Sequence, residues 1–360
     1  MAVPKFCWRC GSTRLGWWPN SAGEGERLLK ALVWIGAAVA LVAVGVLVAF
    51  QVSPWPGAML IRRAFDEGAR HTSEALQKHV PAGVGAMLDV SYDPGDAAAR
   101  LDVYFPEGRL GPDGALPTVV WVHGGGWVSG SKAQIGEYAR ILADKGFTVV
   151  SVDYSIAPES TYPMPVRQVN RALAFLAEQG AQLHVDGSRM FLAGDSGGAH
   201  IVAQVANVVA VPDYAAAMGI SPGIDPDQLI GILLFCGAYD MALADLDGPF
   251  GSFIRTVLWA YSGSKDFQDD PAFKTASIVD CVTAAFPPAF ISVGNADPLK
   301  PHSTELAQKL DDVGASVEAL FFPDDYQPQL QHEYQFDLDL AAAQEALTRV
   351  VAFLRARAGK

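Results

Sequence analysis

The fold is decided by residues 190 to 198, which read Met190-Phe-Leu-Ala-Gly-Asp-Ser-Gly-Gly198. The first four are apolar and typical of a buried strand, and the apolar run Ile201–Val209 that follows is typical of a helix. Between them stands the pattern Gly-x-Ser-x-Gly, whose small residues permit a sharp strand-to-helix turn that exposes the serine hydroxyl. The turn predicts Ser196 at a helix N-terminus, where backbone N–H groups favour developing negative charge. We expect Asp195 to anchor this turn through hydrogen bonds.

A second glycine-rich segment, His123-Gly-Gly-Gly-Trp127, lies upstream after another apolar run. Consecutive glycines let a backbone approach a ligand closely and direct its N–H groups to one point. We therefore predict an oxyanion hole formed by Gly125, Gly126 and Gly197. A phosphate-binding loop is the competing interpretation, but neither G-x-x-x-x-G-K-[ST] nor a G-x-G-x-x-G that opens a helix is present. His123 is expected to shape the loop by hydrogen bonding.

A serine nucleophile needs a general base, and in folds with this turn the chain order is serine, acidic residue, histidine. Three histidines follow Ser196. His200 lies one helical turn away on the same predicted helix, and His302 falls at another predicted helix start. His332 lies in a polar stretch between a predicted strand and the last predicted helix, as loop histidines of catalytic sites do. We expect His332 to be the base.

The orienting carboxylate should follow the end of a strand. Asp297 lies in a turn directly after the predicted strand Ala289–Val293, and it is the expected partner of His332. Asp240, which follows the predicted strand Ile230–Phe235, is the alternative.

Beyond Pro81, short apolar or β-branched runs alternate with stretches of helical periodicity. Several runs are nearly continuous in apolar residues, as in a parallel sheet that helices cover on both faces. An α/β fold with a doubly wound, mostly parallel sheet is therefore predicted from residue 85 to residue 360. Residues 241–288 form a long excursion that predicts a cap over the site. The predicted strands are Leu101–Phe105, Thr118–Val122, Phe147–Val152, Met190–Ala193, Ile230–Phe235, Ala289–Val293 and Val317–Phe321. The predicted helices are Ser131–Lys145, Met164–Gln179, His302–Val313 and Ala341–Ala356.

Residues 31–50 are uncharged and almost entirely apolar. About 20 helical residues span the roughly 30 Å hydrocarbon core of a bilayer, so a transmembrane helix is predicted. A buried core helix and a cleaved signal peptide are alternatives. Both are disfavoured, because the run lacks a polar stripe and is longer than the apolar core of a signal peptide.

Residues 51–84 are predicted to be a linker with an amphipathic helix from Gly57 to about Val80. More basic residues precede the span than follow it closely. This distribution favours a cytoplasmic location for residues 1–30 and a catalytic domain in the periplasm or cell exterior. Those before the span are Lys5, Arg9, Arg14, Arg27 and Lys30, and those after it are Arg62, Arg63 and Arg70.

The overall composition excludes some classes of function. A net charge of −13 provides no basic surface for nucleic acid phosphates, so no nucleic acid partner is expected. Four cysteines are too few for a disulfide-built scaffold. Cys7 and Cys10 form a C-x-x-C, which is half a zinc ribbon or a redox pair. Because no second pair follows, an incidental pair or an intermolecular site is favoured.

Four ordered motifs together resemble the bacterial hormone-sensitive-lipase-like esterases over residues 85–360. They are His123-Gly-Gly-Gly-Trp127, Asp153-Tyr-Ser-Ile-Ala-Pro-Glu159, Gly194-Asp-Ser-Gly-Gly198 and Asp297-Pro-Leu299. The resemblance implies an α/β-hydrolase fold with a helical cap, hydrolysis of short to medium acyl esters without a metal or other cofactor, and an oxyanion hole from the glycine loop. Trp127 and Tyr154, which lie within two of these motifs, are the expected substrate-binding residues.

The chain departs from that family at several positions. The family usually has Arg-Leu where this chain has Ser155-Ile156, and Ala-Gly-Gly where it has Gly197-Gly-Ala199. His332 is followed by Glu333-Tyr334 instead of a pair such as Gly-Phe. The predicted transmembrane helix is also outside the family's usual soluble plan.

The expected activity is hydrolysis of a small-molecule carboxylic ester through an acyl-enzyme on Ser196. A carbohydrate O-deacetylase, an amidase or a peptidase remain alternatives because the same side chains do not fix the leaving group. A silent, membrane-tethered binder of a small ligand is a further alternative, disfavoured because His332 is retained.

Overall fold

The computed structural model describes residues 21–108, 110 and 114–359. The chain divides into two compact units between Ser53 and Pro54. The described part of the first unit is one helix, α1 (Ser21–Val52), whose side chains from residue 25 onward are almost all exposed. Gly25–Val52 is apolar and long enough to cross a membrane, a criterion that a signal sequence near an N-terminus also meets.

The second unit is built on one eight-stranded sheet. Its strands are β1 (Val84–Ser91), β2 (Arg100–Pro106), β3 (Leu116–Val122), β4 (Thr148–Val152), β5 (Val185–Asp195), β6 (Leu229–Phe235), β7 (Ala289–Val293) and β8 (Val317–Phe321). They lie in the order β1-β2-β4-β3-β5-β6-β7-β8. β1 pairs antiparallel with β2 and β2 with β4, whereas all other neighbours are parallel. The predicted mostly parallel sheet is confirmed.

Helices cover both faces of this sheet. They are α2 (Trp55–Leu76), α3 (Gly136–Ala143), α4 (Met164–Gln179), α5 (Ser196–Ala210), α6 (Pro212–Met218), α7 (Gly251–Ser262), α8 (Lys300–Asp312) and α9 (Ala341–Ala358). One core cluster holds side chains of α4, α5 and α8, and a second holds those of α3 and α9. β3, β4 and β7 are buried along their whole length, because apolar side chains leave both faces of each strand. The doubly wound architecture follows from that pattern.

The structure differs from the sequence prediction at the first strand. The sequence predicts no strand before Leu101, but β1 forms the antiparallel edge of the sheet. Its register with β2 shifts between Met87 and Val90, where Asp89 has a φ of +63°. A half-exposed edge strand with such an irregularity lacks the regular alternation by which strands are recognised.

Two predicted helices also differ in extent. The predicted helix Ser131–Lys145 is α-helical only over Gly136–Ala143, and a 3₁₀ turn, Lys132–Ile135, precedes it. The predicted amphipathic helix corresponds to α2, which belongs to the same compact unit as the sheet.

Arg62 is one of the residues that attach α2 to the rest of this unit. Arg62 donates hydrogen bonds to the carbonyl oxygens of Val128 and Ala157, at 2.6 and 2.8 Å, and pairs with Glu159 at 2.6 Å. α2 therefore lies close to the glycine-rich loop that follows β3.

Candidate active site

Ser196 lies at the junction of β5 and α5, in the strand-to-helix turn that the sequence predicts. Its φ of +50° is a left-handed conformation that costs energy in a residue with a Cβ. The glycines make the turn possible. A Cβ on Gly194 would lie 2.7 Å from the carbonyl carbon of Gly198, and one on Gly198 would lie 2.1 Å from the carbonyl oxygen of Val122. Only glycine fits at these positions, so the turn is packed tightly against the end of β3.

Ser196, His332 and Asp297 form a continuous chain of hydrogen bonds. His332 Nε2 lies 2.9 Å from Ser196 Oγ, and His332 Nδ1 lies 2.8 Å from Asp297 Oδ2. The backbone N–H of Leu299 donates to Asp297 Oδ1 at 2.7 Å and fixes the carboxylate. The structure thus brings together all three side chains that the sequence singles out. Asp240, the alternative acid, instead accepts from Ala242 N at 2.9 Å.

The imidazole of His332 is placed where its charged form is favoured. Burial disfavours that form, but the hydrogen bond with Asp297 and the nearby Glu333 carboxylate favour it, and the pKa of His332 is held well above its usual value. Burial raises the pKa of Cys236 to about 11, so its thiol is neutral near pH 7. Asp297 is therefore the charged partner that stabilises an imidazolium at position 332.

The glycine loop after β3 lies beside Ser196. Gly125 and Gly126 have φ values of +104° and +58°, and a Cβ on Gly125 would lie 2.4 Å from the carbonyl oxygen of Ser129. A Cβ on Gly197 would lie 3.4 Å from the nitrogen of Gly126. The backbone nitrogens of Gly126 and Gly197 therefore lie on adjoining segments beside Ser196. All three glycines line the cleft described next.

Asp195 holds the loop and the turn together, as expected from the sequence. Its Oδ1 accepts from Trp121 Nε1 at 2.7 Å, and its Oδ2 accepts from Gly124 N at 2.8 Å. His123 Nδ1 lies 2.8 Å from the carbonyl oxygen of Gly124, and burial lowers the pKa of His123 to about 4. A neutral His123 shapes the loop, as the sequence predicts.

A cleft of about 780 Å³ opens above Ser196. Its wall is mainly apolar, and α2, α7 and the segment between β6 and α7 contribute much of it. The residues from α2 are Ala64, Phe65, Gly68, Ala69 and Thr72, and those from α7 are Phe253, Ile254, Val257 and Leu258. The contact between Phe65 and Phe253, with ring centroids 5.6 Å apart, joins the two helices over the cleft.

A family model described as alpha/beta hydrolase fold matches residues 119–327. The chain belongs to the α/β-hydrolase-fold family. The matched segment of this α/β hydrolase includes Ser196 and Asp297, and His332 lies five residues beyond its end.

Named relatives agree with this membership. The carboxylesterase NlhH of Mycobacterium tuberculosis is 33% identical over 246 residues, which are 67% of this chain and 73% of that protein. The kynurenine formamidase of Danio rerio is 36% identical over 155 residues, 43% of this chain and 47% of that protein. The crystal structure of an inhibited esterase B from Lactobacillus rhamnosis superposes with a TM-score of 0.73 at 20% identity, covering 84% of this chain and 96% of that one. The comparisons confirm the resemblance drawn from the sequence and the expectation of an ester hydrolase.

The two residues expected to bind substrate lie in different places in this α/β hydrolase. Trp127 lines the cleft and stacks on Tyr261, with centroids 4.7 Å apart. Tyr154 does not line the cleft, because its hydroxyl donates to the carbonyl oxygen of His123 at 3.0 Å and its ring stacks on the His123 imidazole. Tyr154 supports the glycine loop from behind, and the prediction of direct substrate contact has no geometric support.

Several lining residues of the hydrolase were missed from the sequence. The α2 residues that line the cleft recur at intervals of three to four, so they share one helix face. The sequence shows that spacing, but no local pattern indicates which surface the helix face contacts. Glu333 also lines the cleft, with a φ of +60°. Its position directly after His332 was visible, although its orientation was not.

One trio of metal-type ligands occurs within the described ranges. The ligand atoms of Cys236, Asp297 and His332 all lie within 4.8 Å of one another. Both ring nitrogens of His332 are already engaged in the contacts with Ser196 and Asp297, so these residues fit a proton relay better than a metal site. The sequence pair Cys7 and Cys10 lies outside the described residues.

Proposed function

We propose that the protein hydrolyses short to medium acyl carboxylic esters with Ser196 as nucleophile, His332 as general base and Asp297 as the orienting carboxylate. The observation that carries the proposal is the hydrogen-bonded sequence from Asp297 Oδ2 through both ring nitrogens of His332 to Ser196 Oγ. A hydroxyl is a weak nucleophile unless a base removes its proton during attack, and this contact supplies that base.

In the first half-reaction, His332 Nε2 accepts the Ser196 proton while Oγ attacks the ester carbonyl carbon. The tetrahedral oxyanion receives hydrogen bonds from the backbone N–H groups of Gly125, Gly126 and Gly197. Asp297 keeps Nδ1 protonated, so that Nε2 faces the serine as an acceptor, and it stabilises the imidazolium that forms. Collapse of the intermediate expels the alcohol, whose oxygen takes the proton from Nε2.

In the second half-reaction, water attacks the acyl-enzyme and gives a proton to His332 Nε2. The second tetrahedral intermediate collapses, Ser196 Oγ recovers the proton, and the carboxylic acid leaves. Every proton that His332 accepts is returned within one turnover.

The direct test compares Ser196→Ala with a matched serine variant. Ser188→Ala alters an exposed residue of β5 whose hydroxyl donates to Asp186 Oδ1 at 2.6 Å. With the detergent-solubilised full chain and p-nitrophenyl butyrate, Ser196→Ala should lose roughly 10⁴-fold or more in turnover. Ser188→Ala should retain it. An active Ser196→Ala variant would overturn the assignment.

The acyl preference is tested with p-nitrophenyl esters of increasing chain length. The side chains of Phe65 and Phe253 line the cleft and contact each other. A preference for short to medium chains predicts that kcat/KM rises from acetate and then falls for long acyl groups. A continuous rise to the longest chains would contradict the proposed substrate range.

Amide hydrolysis is a second candidate, because one relative is named a formamidase. The same serine, base and oxyanion donors cleave amides when the leaving nitrogen is protonated by the histidine. An aryl formate ester and the corresponding formanilide, assayed side by side, separate the two. The proposed esterase predicts a larger kcat/KM for the ester.

We also propose that α1 anchors the protein as a single-pass span with the catalytic unit in the periplasm or cell exterior. Support comes from the uncharged run 31–50 and from the greater number of basic residues before it. Membrane fractionation and protease digestion of intact cells test both parts. Release of the full-length enzyme in carbonate-washed soluble fractions would contradict the anchor.

A further inference from the structure

Glu333 places a carboxylate beside the proton-transfer atom of the candidate active site. Its Oε1 lies 3.8 Å from His332 Nε2, and its side chain is one-third exposed within the cleft. In the proposed mechanism, Nε2 gives its proton to the departing alcohol oxygen. Nε2 therefore marks the side of the cleft that holds the alcohol portion of the ester, and Glu333 lies on that side.

The backbone fixes this position. Glu333 has a φ of +60°, a conformation that a side-chain-bearing residue adopts only when its surroundings require it. A Cβ on Gly124 would lie 3.0 Å from Glu333 Oε1 and 2.3 Å from Asp195 Oδ2. Both carboxyl groups therefore pack over the same glycine of the loop.

The charge of the cleft is not balanced by cationic side chains. The described residues that line it include Asp195, Asp240, Asp245 and Glu333, but no lysine or arginine. Asp240 and Asp245 are turn residues whose oxygens accept from backbone N–H groups of Ala242 and Gly248, at 2.9 and 2.8 Å.

The two carboxyl groups nearest the nucleophile differ in environment. Asp195 is fully enclosed, and burial together with the neighbouring Glu333 carboxylate raises the pKa of Asp195 well above its usual range. Glu333, in contrast, is one-third exposed and lines the cleft, so its carboxyl group is the one that can face a bound ester.

We propose that Glu333 makes the enzyme selective for esters whose alcohol portion carries a positive charge, such as an amino alcohol or a quaternary ammonium alcohol. The inference rests on the proposed function, because it assigns the alcohol side from the role of His332. A fixed carboxylate attracts a cation several ångströms away without needing a directed hydrogen bond. The same carboxylate repels an alcohol portion that bears an acidic group.

The test uses two esters of the same size and acyl group, butyrylcholine and 3,3-dimethylbutyl butyrate. They differ in the charge at one atom of the alcohol, and each enzyme variant is scored by the ratio of their kcat/KM values. The ratio cancels any general loss of activity that a change beside His332 causes. The variants are Glu333→Gln, Glu333→Asp and, as a surface control, Glu178→Gln on the exposed side of α4, which is not among the cleft residues.

The native chain should have the larger kcat/KM for the choline ester. Glu333→Gln should reduce the ratio of the two kcat/KM values roughly fivefold, because a partly exposed charge pair contributes about 1 kcal/mol. Glu333→Asp should retain part of the preference, Glu178→Gln should keep all of it, and added salt should weaken it. Equal ratios in the native chain and Glu333→Gln would overturn the inference while leaving the esterase intact. Failure to cleave either ester would instead refute the proposed function, and the inference with it.

Discussion

The replacement Asp297→Asn tests the proton relay most informatively. It keeps the size of the side chain and removes its charge. Asp297 Oδ1 accepts from Leu299 N at 2.7 Å, so the oxygen of an asparagine should occupy that position and its NH₂ group should face His332 Nδ1. Nδ1 must then become the acceptor, which moves the ring proton to Nε2. A protonated Nε2 cannot accept the proton of Ser196.

The expected loss follows from this tautomer change. A wrongly protonated base in such a relay costs roughly 10⁴-fold in turnover, or about 5.5 kcal/mol of transition-state stabilisation. The pH profile should change as well. The Asp297 carboxylate helps to hold the pKa of His332 above its usual value, and only the neutral imidazole is active. Activity of the native chain should therefore fall as the pH falls through that raised pKa, and Asp297→Asn should move this decline to lower pH.

The assay is kcat/KM for p-nitrophenyl butyrate across pH 5 to 9. Asp240→Asn is the matched control, since Asp240 also follows a strand and lines the cleft but contacts neither Ser196 nor His332 through its carboxylate. The kcat/KM of Asp240→Asn should stay within about tenfold of the native value, and a tenfold change corresponds to about 1.4 kcal/mol. A loss of less than tenfold in Asp297→Asn, or an acid decline at unchanged pH, would refute the assigned role.

Three further perturbations have expected outcomes. Gly198→Ala forces a Cβ to within 2.1 Å of a backbone oxygen, so it should lower stability by roughly 3 kcal/mol or more in a denaturant titration; an unchanged midpoint would contradict the tight packing of the turn. Phe65→Ala removes a lining side chain from α2 and should reduce kcat/KM for hexanoate more than for acetate, whereas equal effects would place α2 away from the acyl group. Arg62→Ala removes three hydrogen-bonded contacts that hold α2 and should expose that helix to limited proteolysis before the sheet; uniform protection would show that the Arg62–Glu159 link is dispensable.

The sheet was predictable because its central strands are buried on both faces. Residues 289–293, which are buried throughout, and residues 317–321, which form the partly exposed strand at the far edge, are predicted and observed with the same bounds. β1 was missed because an edge strand with an irregularity at Asp89 shows neither continuous apolarity nor regular alternation. Strand recognition from sequence therefore worked for the parallel strands, including the edge strand β8, and failed at the antiparallel edge, where the register of β1 is irregular.

The site residues were predictable to the extent that backbone geometry restricts residue type. Gly194 and Gly198 have no room for a Cβ, so the motif around Ser196 records a steric requirement that the sequence displays directly. Tyr154 carries no such requirement. The motif around Tyr154 makes this residue recognisable in the sequence. The direction of its ring, however, depends on stacking with His123, which no local sequence pattern encodes.

The contribution of α2 could not be predicted for a related reason. Its spacing indicates an amphipathic helix, but the identity of the surface it covers depends on contacts distant in the chain, such as Phe65 with Phe253 and Arg62 with Glu159.

The most direct measurement of the central claim is mass spectrometry of the full chain after reaction with a fluorophosphonate. These reagents form a stable adduct only with a serine whose proton is removed by a neighbouring base. One adduct per chain is predicted, on the peptide that contains Ser196, and it should be lost in His332→Ala although the serine remains. An adduct on a different serine, or labelling of Ser196 that is unaffected in His332→Ala, would contradict the account.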